Sequence, residues 1–334
     1  MAAPGRKTEG GGIALISAGL GMAAALLDRL PAGQVVSVDP TSADLVADLV
    51  GNRVAVLAWI DPDLTQSDPF RGDRCAELVA TCLAACVQAD IEHVVLISSA
   101  MVAGADASNP VPLADDAPAI AAVPVGVVPD LVDAERQVKQ WGASTKRAVT
   151  ILRCAVVAGP GIDTFFTRYF ESPRLLVVRG SAPTWQFAHI DDVATAVEVV
   201  AREKLTGAVP VACTGWLTQA QVEGISGMRS VELPAAVVVG TAERLHRLGV
   251  TPAPAEELDY LRYPWAVDAT RLRAAGWQAA WTNDRVVTQV VSAARGRLAI
   301  GGRRVGPGEV TAVTAAAAVL GAAAIVRARR RRLG

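Results

Sequence analysis

Short runs of consecutive apolar residues recur along the first half of the chain, each followed by a break and then by apolar positions at helical spacing. Ile13–Ser17, Val35–Asp39, Val54–Trp59, Val94–Ser98 and Val149–Arg153 read as strands. Their apolar character is continuous instead of alternating, as expected of strands covered on both faces of a parallel sheet. Helices are predicted from Gly21 toward Leu30, over Asp73–Asp90, from Leu131 through Lys146, and across Val193–Val200 behind a candidate cap at Asp191, with His189 and Asp192 also expected to organise the loop and cap this helix. Strands alternating with helices give a doubly wound α/β body over 13–204, after a flexible start at 1–12. Residues 105–130 hold five prolines without periodicity and read as a long loop. From 205 to 294 the pattern is mixed, with Trp265, Trp277 and Trp281, and this stretch is expected to form a smaller lobe together with parts of 160–190.

Charge changes the picture at the end of the chain. The net charge is −1, yet from Arg295 onward nine arginines face a single acid, Glu309, so this tail carries about +8 and the body about −9. An acidic body argues against a nucleic-acid-binding domain. Within the tail, Val310–Val326 is an uncharged run of 17 residues followed by five arginines, the lower limit of a membrane-crossing length. Residues 310–332 are therefore expected to meet a membrane surface from the cytoplasmic face. Five cysteines without metal-type spacing read as buried thiols, and three scattered histidines give no metal site.

Candidate chemistry begins at the first turn. Gly19-Leu-Gly21-Met22-Ala-Ala24 satisfies G-x-G-x-x-A between a strand and a helix, and Asp39 ends the next strand. Such glycines let a pyrophosphate approach the backbone, and the carboxylate accepts from a ribose 2′-hydroxyl, which favours NAD over NADP. Further segments follow in order: Val54-Ala-Val-Leu57-Ala58-Trp59, Val94-Val-Leu-Ile-Ser98-Ser99-Ala-Met-Val-Ala-Gly104, Ile151-Leu-Arg-Cys-Ala-Val-Val-Ala-Gly-Pro160, Gln186-Phe-Ala-His189-Ile-Asp-Asp-Val-Ala194, and Asp268 to Trp277. Taken jointly, they resemble the elements of the extended short-chain dehydrogenase/reductases, the NAD-dependent epimerase/dehydratase family. The resemblance implies a Rossmann-type domain holding NAD through Ser17, Gly19, Gly21, Met22, Asp39, Leu57, Ala58 and Ser98. It also implies a C-terminal lobe closing over a nucleotide-type ligand near Arg179, Gln186 and His189, with Ser99 at the catalytic Ser/Thr position, and a homodimer.

The family's chemistry then requires Tyr-x-x-x-Lys, in which the tyrosine moves a proton and the lysine lowers its pKa and holds the nicotinamide ribose. The sequence has three tyrosines (Tyr169, Tyr260, Tyr263) and four lysines, and no such pair exists. Aligning Glu135 with the acid that commonly follows the family lysine puts Val127 at the tyrosine position and Leu131 at the lysine position. The family's diphosphate-binding arginine is also absent, Thr184 and Trp185 standing there, with Arg174 or Arg179 as substitutes. The expected function is that of a catalytically degenerate, NAD-binding member with a ligand-sensing or scaffolding role near a membrane. The alternatives are an active oxidoreductase or epimerase using Ser99 with Asp130, Asp133 or Glu135, and a partner protein that has lost the cofactor.

Overall fold

The computed structural model describes residues 12–17, 21–59, 72–119, 126–247, 255–295 and 297, together with two short strands at 299–300 and 303–304. The chain opens with β1 (Gly12–Ile16), α1 (Gly21–Leu27), β2 (Val35–Val38), α2 (Leu45–Leu49) and β3 (Asn52–Leu57). It continues through α3 (Asp73–Gln88), β4 (His93–Ser99), α4 (Val127–Thr145), β5 (Ala148–Cys154) and β6 (Val156–Ala158). Next come α5 (Phe165–Tyr169), β7 (Leu175–Val178), β8 (Phe187–His189), α6 (Ile190–Glu203) and β9 (Gly207–Val211). The last elements considered are α7 (Gln219–Ser226), β10 (Ser230–Leu233), α8 (Ala235–Arg247), α9 (Thr270–Ala274) and α10 (Asn283–Ala294).

Six strands pair in the order β2-β1-β3-β4-β5-β9, all parallel. The order reverses between β1 and β3, the point where a doubly wound sheet opens a crevice beyond the carboxyl ends of its strands. All seven residues of β4 are buried, as its unbroken apolar sequence requires. Helices α3 and α4 pack beside each other on one face, and α1 lies against α6 on the body. The five cysteines are all buried, and burial pushes the thiols of Cys82, Cys86, Cys154 and Cys213 up to about 12.

Three differences from the sequence expectation have physical causes. Helix α4 starts at Val127, four residues before the expected Leu131, because Pro129 falls in the first turn, where a missing N–H costs nothing. Of the expected caps of α6, His189 holds the position and Asp191 does not; the His189 imidazole Nδ1 accepts the Asp191 N–H at 3.2 Å. The sixth strand, β9, comes from residues that the sequence pattern assigns to the smaller lobe.

That lobe is tied to the loop after β4. The Tyr260 hydroxyl donates to the Met101 carbonyl at 2.6 Å, and the Asn109 amide donates to the carbonyls of Gly104 and Pro264 at 2.9 and 2.8 Å. Leu113 forms a parallel bridge to Val267. A close approach fixes Gly159 (φ +132°), where a Cβ would lie 2.7 Å from Ile190 Cγ2 and 2.8 Å from His189 Nε2. Gly159→Ala is accordingly expected to lower unfolding free energy by about 2 kcal/mol, read by urea denaturation.

Candidate functional site

The carboxyl ends of β2, β1 and β3 form a contiguous row. Ser17 N–H donates to the Val38 carbonyl at 2.9 Å, and Ala58 N–H donates to the Ile16 carbonyl at 3.0 Å. These bonds set Asp39, Ser17 and Ala58 at the ends of three adjacent strands. Gly21 opens α1 with φ +57°, a backbone conformation suited to glycine. Met22, Leu57 and Ala58 are buried in the core, so only their backbone and surfaces toward the crevice can meet a ligand. Gly19 lies outside the described residues.

Asp39 is exposed. Its Oδ1 accepts from the Thr41 hydroxyl at 2.7 Å and the Thr41 N–H at 2.8 Å, and these bonds hold the carboxyl below the usual carboxylate range. Both bonds fall on Oδ1. The group is thus an ionised, oriented acceptor at the end of β2, the chemistry a ribose hydroxyl needs and a 2′-phosphate repels.

Between β4, β5 and α4 the side chains gather around a buried carboxylate. Ser98 and Arg153 are register partners on β4 and β5, and α4 lays Glu135 over them. Ser98 Oγ donates to Glu135 Oε1 at 2.8 Å, Arg153 Nε donates to the same oxygen at 3.0 Å, and Arg153 Nη2 donates to Oε2 at 2.7 Å. Lys139 Nζ adds a contact to Oε2 at 3.2 Å, and Arg153 Nη1 donates to the Ala117 carbonyl. The Glu135 and Arg153 side chains are 0% and 4% exposed. One and two turns earlier on the same stripe, Leu131 and Val127 are buried at 0% and 5%. Neither carries an ionisable atom. Ser99, expected at the catalytic Ser/Thr position, caps the 3-10 turn Ala100–Ala103: its Oγ accepts Met101 N–H at 3.2 Å and donates to the Cys154 carbonyl at 3.4 Å.

Residues expected at a substrate are engaged by the protein itself. Gln186 is 4% exposed; its amide nitrogen donates to the carbonyls of Cys213, Gly215 and Val267, and its oxygen accepts Val267 N–H at 2.9 Å. This side chain stitches the lobe to β8. Because His189 Nδ1 accepts a backbone N–H, its proton sits on Nε2, which donates to Gln289 Oε1 at 2.9 Å. Burial depresses its pKa, and the neutral ring stacks on Trp281 with centroids 3.7 Å apart. Arg179 is exposed at the end of β7 and faces Glu232 at 3.9 Å.

Of the alternative acids, Asp130 accepts Gly72 N–H at 3.0 Å, while Asp133 is paired with Arg136 and Gln137. Glu135 is closed in its pair with Arg153, so Ser98, not Ser99, is the serine that it meets. Sequence spacing cannot show this, since the pair joins two elements through the fold.

A sequence profile described as the NAD dependent epimerase/dehydratase family matches residues 63–212. That profile covers 150 of the 334 residues, so the likeness to the NAD-dependent epimerase/dehydratase family extends over just under half of the chain. An uncharacterized protein of Mycobacterium tuberculosis is 31% identical over 203 residues, 60% of this chain and 54% of the relative. The chain therefore spans about half the length of the curated relatives it matches. Among solved structures, it is similar to MoeE5 in complex with UDP-glucuronic acid and NAD, at a TM-score of 0.62 and 19% identity over 84% of this chain and 98% of that one. It is also similar to dTDP-glucose 4,6-dehydratase of Bacillus anthracis in complex with NAD, at a TM-score of 0.60 and 13% identity over 84% and 96%. At these identities the likeness to epimerase/dehydratase structures establishes the fold alone. No helix among the described residues is long and apolar enough to cross a membrane, and the expected tail at 310–332 lies outside them.

Proposed function

We propose that the chain is an NAD-binding member of the NAD-dependent epimerase/dehydratase family that does not run the Tyr/Lys proton transfer and serves as a ligand-sensing or scaffolding protein. The observation that carries the reading is the contrast across one crevice. An oriented, ionised Asp39 stands at the adenosine end, and buried Val127 and Leu131 stand where proton transfer would need a hydroxyl and an ammonium. Bound NAD would supply a hydride acceptor. The chain's own contribution would then be Asp39 toward the ribose, and Ser17 with Gly21 toward the backbone approach of the phosphates. The solved neighbours named above carry NAD, and MoeE5 carries a sugar nucleotide, which supports a nucleotide-type ligand here. The Arg-rich tail with its apolar run supports a place at the cytoplasmic face of a membrane.

Calorimetry with the full chain tests the reading. NAD is expected to bind, more tightly than NADP, and Asp39→Ala is expected to weaken NAD about tenfold and to narrow the gap to NADP. Incubation with NAD and UDP-glucose or dTDP-glucose is expected to leave the sugar unchanged. Formation of an epimer or a 4-keto sugar would overturn the degenerate assignment.

A further inference from the structure

Two arginines of the smaller lobe stand side by side where its parallel ribbon begins. Leu175 of β7 lies opposite Ser230 of β10, and the Leu175 N–H donates to the Arg229 carbonyl at 3.1 Å. Arg174 and Arg229 directly precede that pair, so their backbones run next to each other at about 5 Å, the ordinary strand spacing. Both residues are exposed, and neither side chain has an ion pair or hydrogen bond among the described residues. Like charges opposite each other on neighbouring strands repel.

The acids of the surrounding elements are engaged elsewhere. Glu223 on α7 accepts from the Gln219 amide at 3.2 Å, and Glu232 lies further along β10, with Arg179 at 3.9 Å. Glu171, three residues before Arg174, has a side chain 4% exposed, and Arg297 Nη1 stands 3.7 Å from its Oε1. That contact brings Arg297, itself 54% exposed, beside a residue no more than about 11 Å of chain from Arg174. Arg295, two residues earlier at the end of α10, is exposed as well. Beyond Arg297 the sequence continues into the arginine-rich tail. The charge of the tail thus extends onto the folded body.

Resting on the membrane placement proposed for the tail, we propose that Arg174 and Arg229, with Arg295 and Arg297 beside them, form a surface of the folded body that docks on the anionic headgroups of a bilayer. Exposed guanidiniums that no acid answers match a broad negative surface, and the attraction accumulates residue by residue within a Debye length. Headgroup phosphates reaching both Arg174 and Arg229 relieve the repulsion between them. The tail supplies attachment, and the lobe surface fixes how the body sits on the membrane.

Flotation of the full chain with vesicles of phosphatidylcholine and phosphatidylglycerol, in a four-to-one mixture, tests the surface. The parent is compared with Arg174→Gln/Arg229→Gln and with Arg53→Gln/Arg136→Gln, a control of equal charge change. Arg53 and Arg136 are also half-exposed, but each is paired with an acid outside the lobe, Glu92 and Asp133. The lobe variant is expected to bind the anionic vesicles about ten- to thirtyfold more weakly than the parent, and the control as tightly as the parent. With phosphatidylcholine alone, parent and lobe variant are expected to behave alike. Equal binding of parent and lobe variant to the anionic vesicles, or an equal loss in the control, overturns the surface and leaves the membrane reading intact. Release of the parent by millimolar inorganic phosphate at constant ionic strength also overturns it, in favour of a site for one small anion. Should the double variant not fold, Arg174→Gln and Arg229→Gln alone decide, each expected to lose about fivefold. A parent that leaves anionic vesicles unbound is a separate outcome, which removes the membrane reading and this inference with it.

Discussion

Arg153→Ala is expected to destabilise the protein by about 3–5 kcal/mol, the largest effect of any single substitution considered. The reason is the geometry of the Glu135 site. Glu135 accepts three charge-assisted bonds from Arg153 and Lys139 and one from Ser98, and its side chain is fully buried. Removing the guanidinium leaves a carboxylate with no solvent to stabilise it and only a half-exposed lysine as counter-charge. The paired ions need not be stabilising in themselves, because desolvating two charges offsets much of their attraction. Arg153→Met combined with Glu135→Leu is therefore expected to recover most of the loss in urea denaturation, and Ser98 would then be left without its acceptor. A double variant as unstable as Arg153→Ala would show that the site contributes by its charges and not by its volume.

The second large effect is an acid limb set by His93. This residue is 2% exposed at the start of β4, and its Nε2 lies 2.7 Å from Thr150 Oγ1. Burial, reinforced by the Lys204 charge, lowers its pKa from 6.5 to about 4. Thr150 donates its own proton to the Leu205 carbonyl, so its oxygen accepts from Nε2–H and the ring is neutral in the native state. The unfolded chain takes up a proton near pH 6.5, while the native chain resists until about pH 4. Stability is thus complete above pH 6.5, falls as the pH drops through that window, and levels off below it. The full span is about 3 kcal/mol at 1.36 kcal/mol per pKa unit. Unfolding free energies measured between pH 4 and 7.5 are expected to show this slope, and His93→Gln is expected to flatten it. An equal slope in the variant would place the acid limb in other groups.

The strands were legible in the sequence because parallel strands buried on both faces are apolar at every position, and Val94–Ser98 could hardly be anything else. The start of α4 was not, because proline and alanine in 105–130 mask periodicity and only tertiary contact decides where the helix begins. Asp191 has the better capping side chain by type, but its carboxylate is drawn to Arg29 at 2.5 Å, which leaves the cap to His189. At the site, Gly21 and Asp39 were visible through spacing, whereas the Glu135–Arg153 pair joins residues 18 apart on different elements.

The ties between the lobe and the loop after β4 join two parts that lie far apart in the chain. Tyr260 holds the carbonyl of Met101, and the N–H of that same residue holds Ser99 Oγ. Asn109 and Leu113 fasten the rest of the loop to Pro264 and Val267. The turn that holds Ser99 and the segment 260–267 are thus built as one body, joined by side-chain bonds and a single bridge instead of by a shared sheet.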